Sequence, residues 1–166
     1  MAWNQFRSSG PPTTRFDHRV PGSDRAILYA ALDVHTPLAE CFQDTRVIDR
    51  SLDDPWLVGF RTHREVRLLD LTGPWPTRAG ASQALSSGPR PRAQAWSRRI
   101  YEDYPLIEGL LYPSSMHGAS YGAVALYERA EDALPSAPAF HRALADPTLA
   151  GIVAGARTRF GYDVCP

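Results

Sequence analysis

A chain of 166 residues fits one domain and leaves little room for two. Its hydrophobic share, 43%, is enough to bury a core and excludes disorder by composition. Eighteen basic residues, all of them Arg, balance eighteen acidic ones, so the net charge points to neither nucleic acid nor a membrane surface.

Residues 1–14 are polar and rich in Gly and Pro and read as an irregular arm ahead of a single domain over 15–166. "RAILYAAL" (Arg25–Leu32) is apolar, short and bounded by turn residues, which predicts a buried strand. Thr36 then suits an N-cap and Pro37 a first helical position, so a short helix is expected through Gln43. Within it Leu38 and Phe42 lie four apart on one face, and Glu40 points away from them. Glu40 is also one residue too late for a capping box with Thr36, so it has no evident local partner. "EVRLLDL" (Glu65–Leu71) reads as a strand stopped by "TGPWP", and Leu85–Arg92 as turn-rich. Ala93, Trp96 and Ile100 carry helical spacing over Ala93–Tyr104. Two strands follow, Ile107–Pro113 and Tyr121–Glu128, joined by the small-residue loop "SSMHGAS". Asp146 and Pro147 open a helix to about Arg159 with Gly161 as its stop, and Tyr162–Val164 can form a last strand.

Helices and strands are mixed without regular alternation, and "LDVHT" after the first strand has no glycine. This argues against a Rossmann or P-loop site and for an α+β domain, a compact mixed β-sheet core with flanking helices. The five histidines are scattered without metal-ligand spacing, so no metal is expected. Ser114 and Ser115 lie close to His117, but a neighbour in the same loop seldom gives triad geometry, and no G-x-S-x-G elbow is present. Cys41 and Cys165 make no disulfide framework, and Cys41 reads as a small buried side chain. No signal-like segment opens the sequence and no apolar run approaches a membrane span, so a cytoplasmic setting is the expectation. Tyr29 reads by default as a core aromatic of the first strand, and Arg15, in "TTRFDHR", as one more surface cation or an anion contact.

The order of short motifs is more specific than any one of them: "RFD" at Arg15–Asp17, "LYAA" with Tyr29, "TPLAE" ending at Glu40, "LLDLTG", "EGLLYPSS" with Ser114, then "AVALYER". In this order the chain, over about Arg15 to Arg129, resembles the RES domain family, named for its Arg, Glu and Ser. The resemblance implies a fold similar to ADP-ribosyltransferases and a bacterial toxin that degrades NAD, taken as substrate and without a metal. It also implies neutralisation by an Xre-type antitoxin and a tendency to form homo-oligomers; the balanced charge and the lack of a membrane-length apolar run add the expectation of no direct nucleic-acid or membrane binding. Residue by residue, Glu40, Arg15 and Ser114 would be catalytic, and Tyr29 would line the NAD site with Arg15 and Ser114. Arg7 stands as a second candidate for the phosphate contact, because relatives often carry an Arg on an earlier strand. The expected reaction is cleavage of the nicotinamide–ribose bond by water or phosphate. ADP-ribosylation of a protein and a non-catalytic binding module are the alternatives.

Overall fold

The computed structural model describes residues 2–165. In chain order the elements are β1 (Ile27–Ala31), α1 (Thr36–Cys41), β2 (Val47–Asp49), β3 (Trp56–Gly59), β4 (Leu68–Asp70), α2 (Trp75–Arg78), α3 (Arg90–Asp103), β5 (Gly109–Ser114), β6 (Gly118–Tyr127), β7 (Phe140–Ala143), α4 (Ala150–Phe160) and β8 (Asp163–Cys165). The fold is α+β. A four-stranded mixed sheet runs β1-β6-β5-β4, with β6 antiparallel to both neighbours and β4 parallel to β5. Two small pairs accompany it, β2 with β8 in parallel and β3 with β7 antiparallel.

The side-chain alternation of β6 builds the two layers of the main core. Ala123, Ala125 and Tyr127 join Phe16, Ile27, Leu110, Tyr112 and the α3 residues Ala93 and Ile100 on one face. Val124 and Leu126 join Phe6, Ala26 and Leu134 on the other. A third cluster, Leu38, Ile48, Leu57, Leu144, Val153 and Tyr162, welds α1 and α4 to the two small strand pairs. Glycine is required at position 109, where a Cβ would lie 2.5 Å from the Ala125 carbonyl oxygen of the neighbouring strand. Gly161 ends α4 in the left-handed region (φ 67°), and its N–H closes on the Arg157 carbonyl, as its place in the sequence predicts.

Several expectations need correction. Thr36 is the first residue of α1 and not its cap. The N-cap is His35, whose side chain makes no capping bond, and the Asp33 carboxylate just before it accepts the backbone N–H groups of His35 and Thr36 at 2.9 and 3.0 Å. Helix α3 begins at Arg90, because Pro89 and Pro91, read as turn residues, instead open its first turn. Cys41 is exposed. The elements β2, β3, β7 and α2 carry three or four residues each, too few for a periodic signal. Residues 2–14 carry no helix or strand, yet Arg7 bridges to Ile27 of β1 and Phe6 is buried.

Candidate active site

On the α3 face of the sheet the side chains of β1, β6 and β5 form a trough. Tyr29 pairs with Ala125, and Tyr112 with Ala123, so two tyrosines flank a stretch of the central strand whose residues on this face, Ala123 and Ala125, are alanines. The small side chains leave a cavity of about 450 Å3, in the range of small-molecule sites. Arg15, Tyr29, Glu40, Arg90, Tyr112 and Ser115 are among its lining residues. A larger groove of about 880 Å3 lies on the other side of β1 and β6 and is mostly apolar, with Leu28, Trp56, Phe60 and Leu126 in its walls. It does not contain Arg15, Glu40 or Ser114.

Helix α1 presents Glu40 to the cavity because its opposite face is anchored. Leu38 is buried, Phe42 packs beside it, and Tyr162 donates its hydroxyl hydrogen to the Ala39 carbonyl at 3.3 Å. The start of the helix is tied down by a polar chain. Arg159 donates to His117 Nε2 at 2.9 Å, which leaves Nδ1–H to donate to Thr36 Oγ1 at 2.7 Å, and Thr36 in turn donates to Asp33. The His117 imidazole is thus committed to α1 and does not serve Ser114 as a base. Burial lowers its pKa, against the pull of Asp33.

Ser114 acts on Glu40 directly. Its hydroxyl donates to Glu40 Oε1 at 2.6 Å and accepts the Met116 and His117 N–H groups at 3.2 and 3.1 Å. At 3% exposure it sits behind the carboxylate, and its neighbour Ser115 stands on the cavity wall. Glu40 itself lines the cavity, and its Oε2 makes no hydrogen bond among the described residues.

Arg15 stands on the wall shared with Arg90 and donates to the Gly88 carbonyl at 2.5 Å. Burial and then the Arg90 charge lower its pKa, with Glu40 opposing, but a guanidinium remains a cation at neutral pH. The Tyr29 hydroxyl accepts the Phe16 N–H at 3.1 Å, so this side chain pins the segment that carries Arg15. Burial raises the Tyr29 phenol to about 12.

Arg7 is engaged elsewhere. It donates to Asp17 Oδ2 at 2.5 Å and to Thr13 and Thr14, and it is not among the residues lining the cavity. Asp17 is fully buried and also takes two hydrogen bonds from the Arg19 guanidinium, both at 2.9 Å. Burial pushes its pKa up, but the Arg19 and Arg7 contacts outweigh that and hold it low. The structure therefore brings Arg15, Tyr29, Glu40 and Ser114 together and leaves Arg7 in a structural ion pair.

Arg90 and Tyr112 are among the cavity residues that the sequence does not single out. For Tyr112 a signal existed: in "LLYPS" it alternates with Leu110 and Ser114, which puts all three on one face of a strand. Arg90 had none, being one of eighteen arginines in a stretch that reads as turn. Among the described residues no group of His, Cys, Asp and Glu is gathered closely enough to hold a metal ion, and no helix is long and apolar enough to cross a membrane.

Comparison with protein families matched one model, described as RES domain, to residues 2–148. Searches of curated proteins and of solved structures returned no match.

Proposed function

The chain belongs to the RES domain family, and from that membership and the cavity we propose that it consumes NAD by cleaving the bond between ribose C1′ and the nicotinamide nitrogen. The observation that carries the reading is the placement of a cation, Arg15, and a held carboxylate, Glu40, in one cavity between two tyrosines. Cleavage of such a bond develops positive charge on the sugar, as glycoside cleavage does. Glu40 Oε2 accepts a ribose hydroxyl and stabilises that charge, while Ser114 keeps the carboxylate aimed. Arg15 holds the diphosphate with its planar fork, and Tyr29 offers a ring for the nicotinamide. The bond's electron pair leaves with nicotinamide. Water then bonds to C1′, loses a proton and yields ADP-ribose; inorganic phosphate in its place yields the sugar phosphate. Family membership also supports an Xre-type antitoxin as partner.

The test is turnover of NAD by the purified protein with products identified by mass. Wild type should release nicotinamide, and Glu40→Ala should lose about 10²-fold or more of the rate while keeping its fold. ADP-ribose found on a protein would move the reading to a transferase. Binding without turnover would make the chain a binding module. Wild type that neither binds nor consumes NAD would refute the reading.

A further inference from the structure

Tyr112 and Arg90 line the same cavity as Arg15, Tyr29 and Glu40 and have no part in the chemistry proposed for those residues. Tyr112 is only 7% exposed, with its ring packed on Phe16 at 4.6 Å between centroids. Other well-buried tyrosines have a partner for the hydroxyl: Tyr29 has the Phe16 N–H, Tyr127 has Ser97, and Tyr162 has the Ala39 carbonyl. The Tyr112 hydroxyl makes no hydrogen bond among the described residues. Burying such a group unpaired is unfavourable. The wholly sealed and unpartnered side-chain polar atom among the described residues is His18 Nδ1, so the Tyr112 oxygen keeps an opening, and it opens on the cavity.

We propose that Tyr112 is a substrate-contacting residue whose hydroxyl donates to the ribose–phosphate part of a bound dinucleotide, beside a phosphate clamp made by Arg15 and Arg90. This rests on the NAD reading of the same cavity. Burial, with Tyr29 and Glu40 nearby, keeps the phenol protonated, so it is a donor and wants an acceptor oxygen. Glu40 Oε1 already takes its hydrogen from Ser114. Arg15 and Arg90 share a wall, and their mutual repulsion is relieved by an anion placed between them. Arg90 opens α3, a helix of 14 residues with no acidic group in its first turn and no side-chain cap, so its positive end is also unneutralised.

The experiment compares wild type, Tyr112→Phe, Arg90→Ala and Glu40→Ala in NAD turnover and in calorimetric binding of ADP-ribose. Tyr112→Phe removes an oxygen with no internal partner, so its thermal midpoint should match wild type. Its KM for NAD should rise roughly three- to tenfold with kcat little changed, and ADP-ribose should weaken by the same factor. Arg90→Ala should weaken ADP-ribose by about tenfold, and nicotinamide riboside, which lacks phosphate, not at all. An unchanged Tyr112→Phe beside an inactive Glu40→Ala overturns the proposal and spares the NAD reading. Weakening of NAD but not of ADP-ribose places the contact on nicotinamide and overturns it too. An Arg90→Ala variant that binds ADP-ribose like wild type removes Arg90 from the clamp and overturns that half. Wild type that binds neither ligand overturns both proposal and reading.

Discussion

Replacing Ser114 by Ala tests whether the serine works through Glu40. The substitution deletes one hydrogen bond to a carboxylate, 2.6 Å long, and strips two backbone N–H groups of their acceptor. A bond to a charged group contributes about 1.5–3 kcal/mol and each neutral one about 0.5–1.5 kcal/mol. Ser114 is 3% exposed, so water replaces little of this behind it, although Glu40 is only partly buried and regains some solvation. The net loss should be about 2–4 kcal/mol, or roughly 5–15 °C in the thermal midpoint of a chain this size. Once released, the carboxylate samples other rotamers, and kcat should fall about 10- to 100-fold, equivalent to roughly 1.4–2.8 kcal/mol of barrier. Initial rates of nicotinamide release report the second quantity, and thermal denaturation followed by circular dichroism the first. The decisive arm is the pair of backgrounds. In Glu40→Ala, adding Ser114→Ala should leave residual turnover within about twofold, because nothing remains to be positioned, yet it should still lower the midpoint. Rate losses that multiply would show that Ser114 touches the substrate itself. A single variant as active as wild type would refute the coupling altogether.

Arg7→Ala should cost stability without touching the site. Arg7 is 37% exposed, and Asp17 keeps its two bonds from the Arg19 guanidinium and one from the Arg19 backbone N–H, so the loss should be about 1–2 kcal/mol with the KM for NAD unchanged; a tenfold rise in KM at an unchanged midpoint would instead put Arg7 among the phosphate contacts. Acid should destabilise the protein through Glu128. Burial alone would raise this carboxyl, but hydrogen bonds with His18, Tyr101 and the Ala26 N–H bring it down to about 2 from an ordinary 4.5. A depressed folded pKa contributes stability above the unfolded value and loses it as pH falls, here between about pH 5 and 2, by about 1–2 kcal/mol once solvent screening of this half-buried group is allowed for. His18, held neutral by burial against the raising influence of Glu128, adds loss of the same sign below its ordinary 6.5. Glu128→Gln should therefore be less stable at pH 7 and flatter across the acid limb in midpoint-versus-pH measurements; a slope equal to wild type would sink this account.

What is local was legible in the sequence. Helical spacing alone put Glu40 opposite Leu38 and Phe42, and the structure has Leu38 buried, Phe42 packed beside it and Glu40 on the cavity. Strand alternation puts Tyr29 and Ile27, two apart in the first strand, on one face, and both join the α3 side of the sheet. Gly161 stops the last helix as its place in the sequence predicts, whereas Asp146 and Pro147 open a 3-10 turn (Pro147–Leu149) and α4 itself begins only at Ala150. The reading failed where a residue's partner is remote or its element very short. The cap of α1 falls on His35 and not Thr36, with the first N–H groups bonded to Asp33, and the Thr36 hydroxyl is taken up by Asp33 and by His117, far along the chain. β3 and β7 exist because they pair with each other across about eighty residues, and neither four-residue stretch announces a strand alone.

The site divides along the same line. Motif order singled out Arg15, Tyr29, Glu40 and Ser114 as a set, and residue type set what each can donate, accept or neutralise. Only tertiary packing decided that Ser114 bonds Glu40 while Ser115 lines the cavity, that Asp17 occupies Arg7 and leaves Arg15 on the cavity, and that the Tyr112 hydroxyl has no hydrogen bond among the described residues. Periodicity is a property of neighbouring residues, whereas hydrogen-bond satisfaction depends on which faces of distant segments meet, and that is set by burial of the whole core.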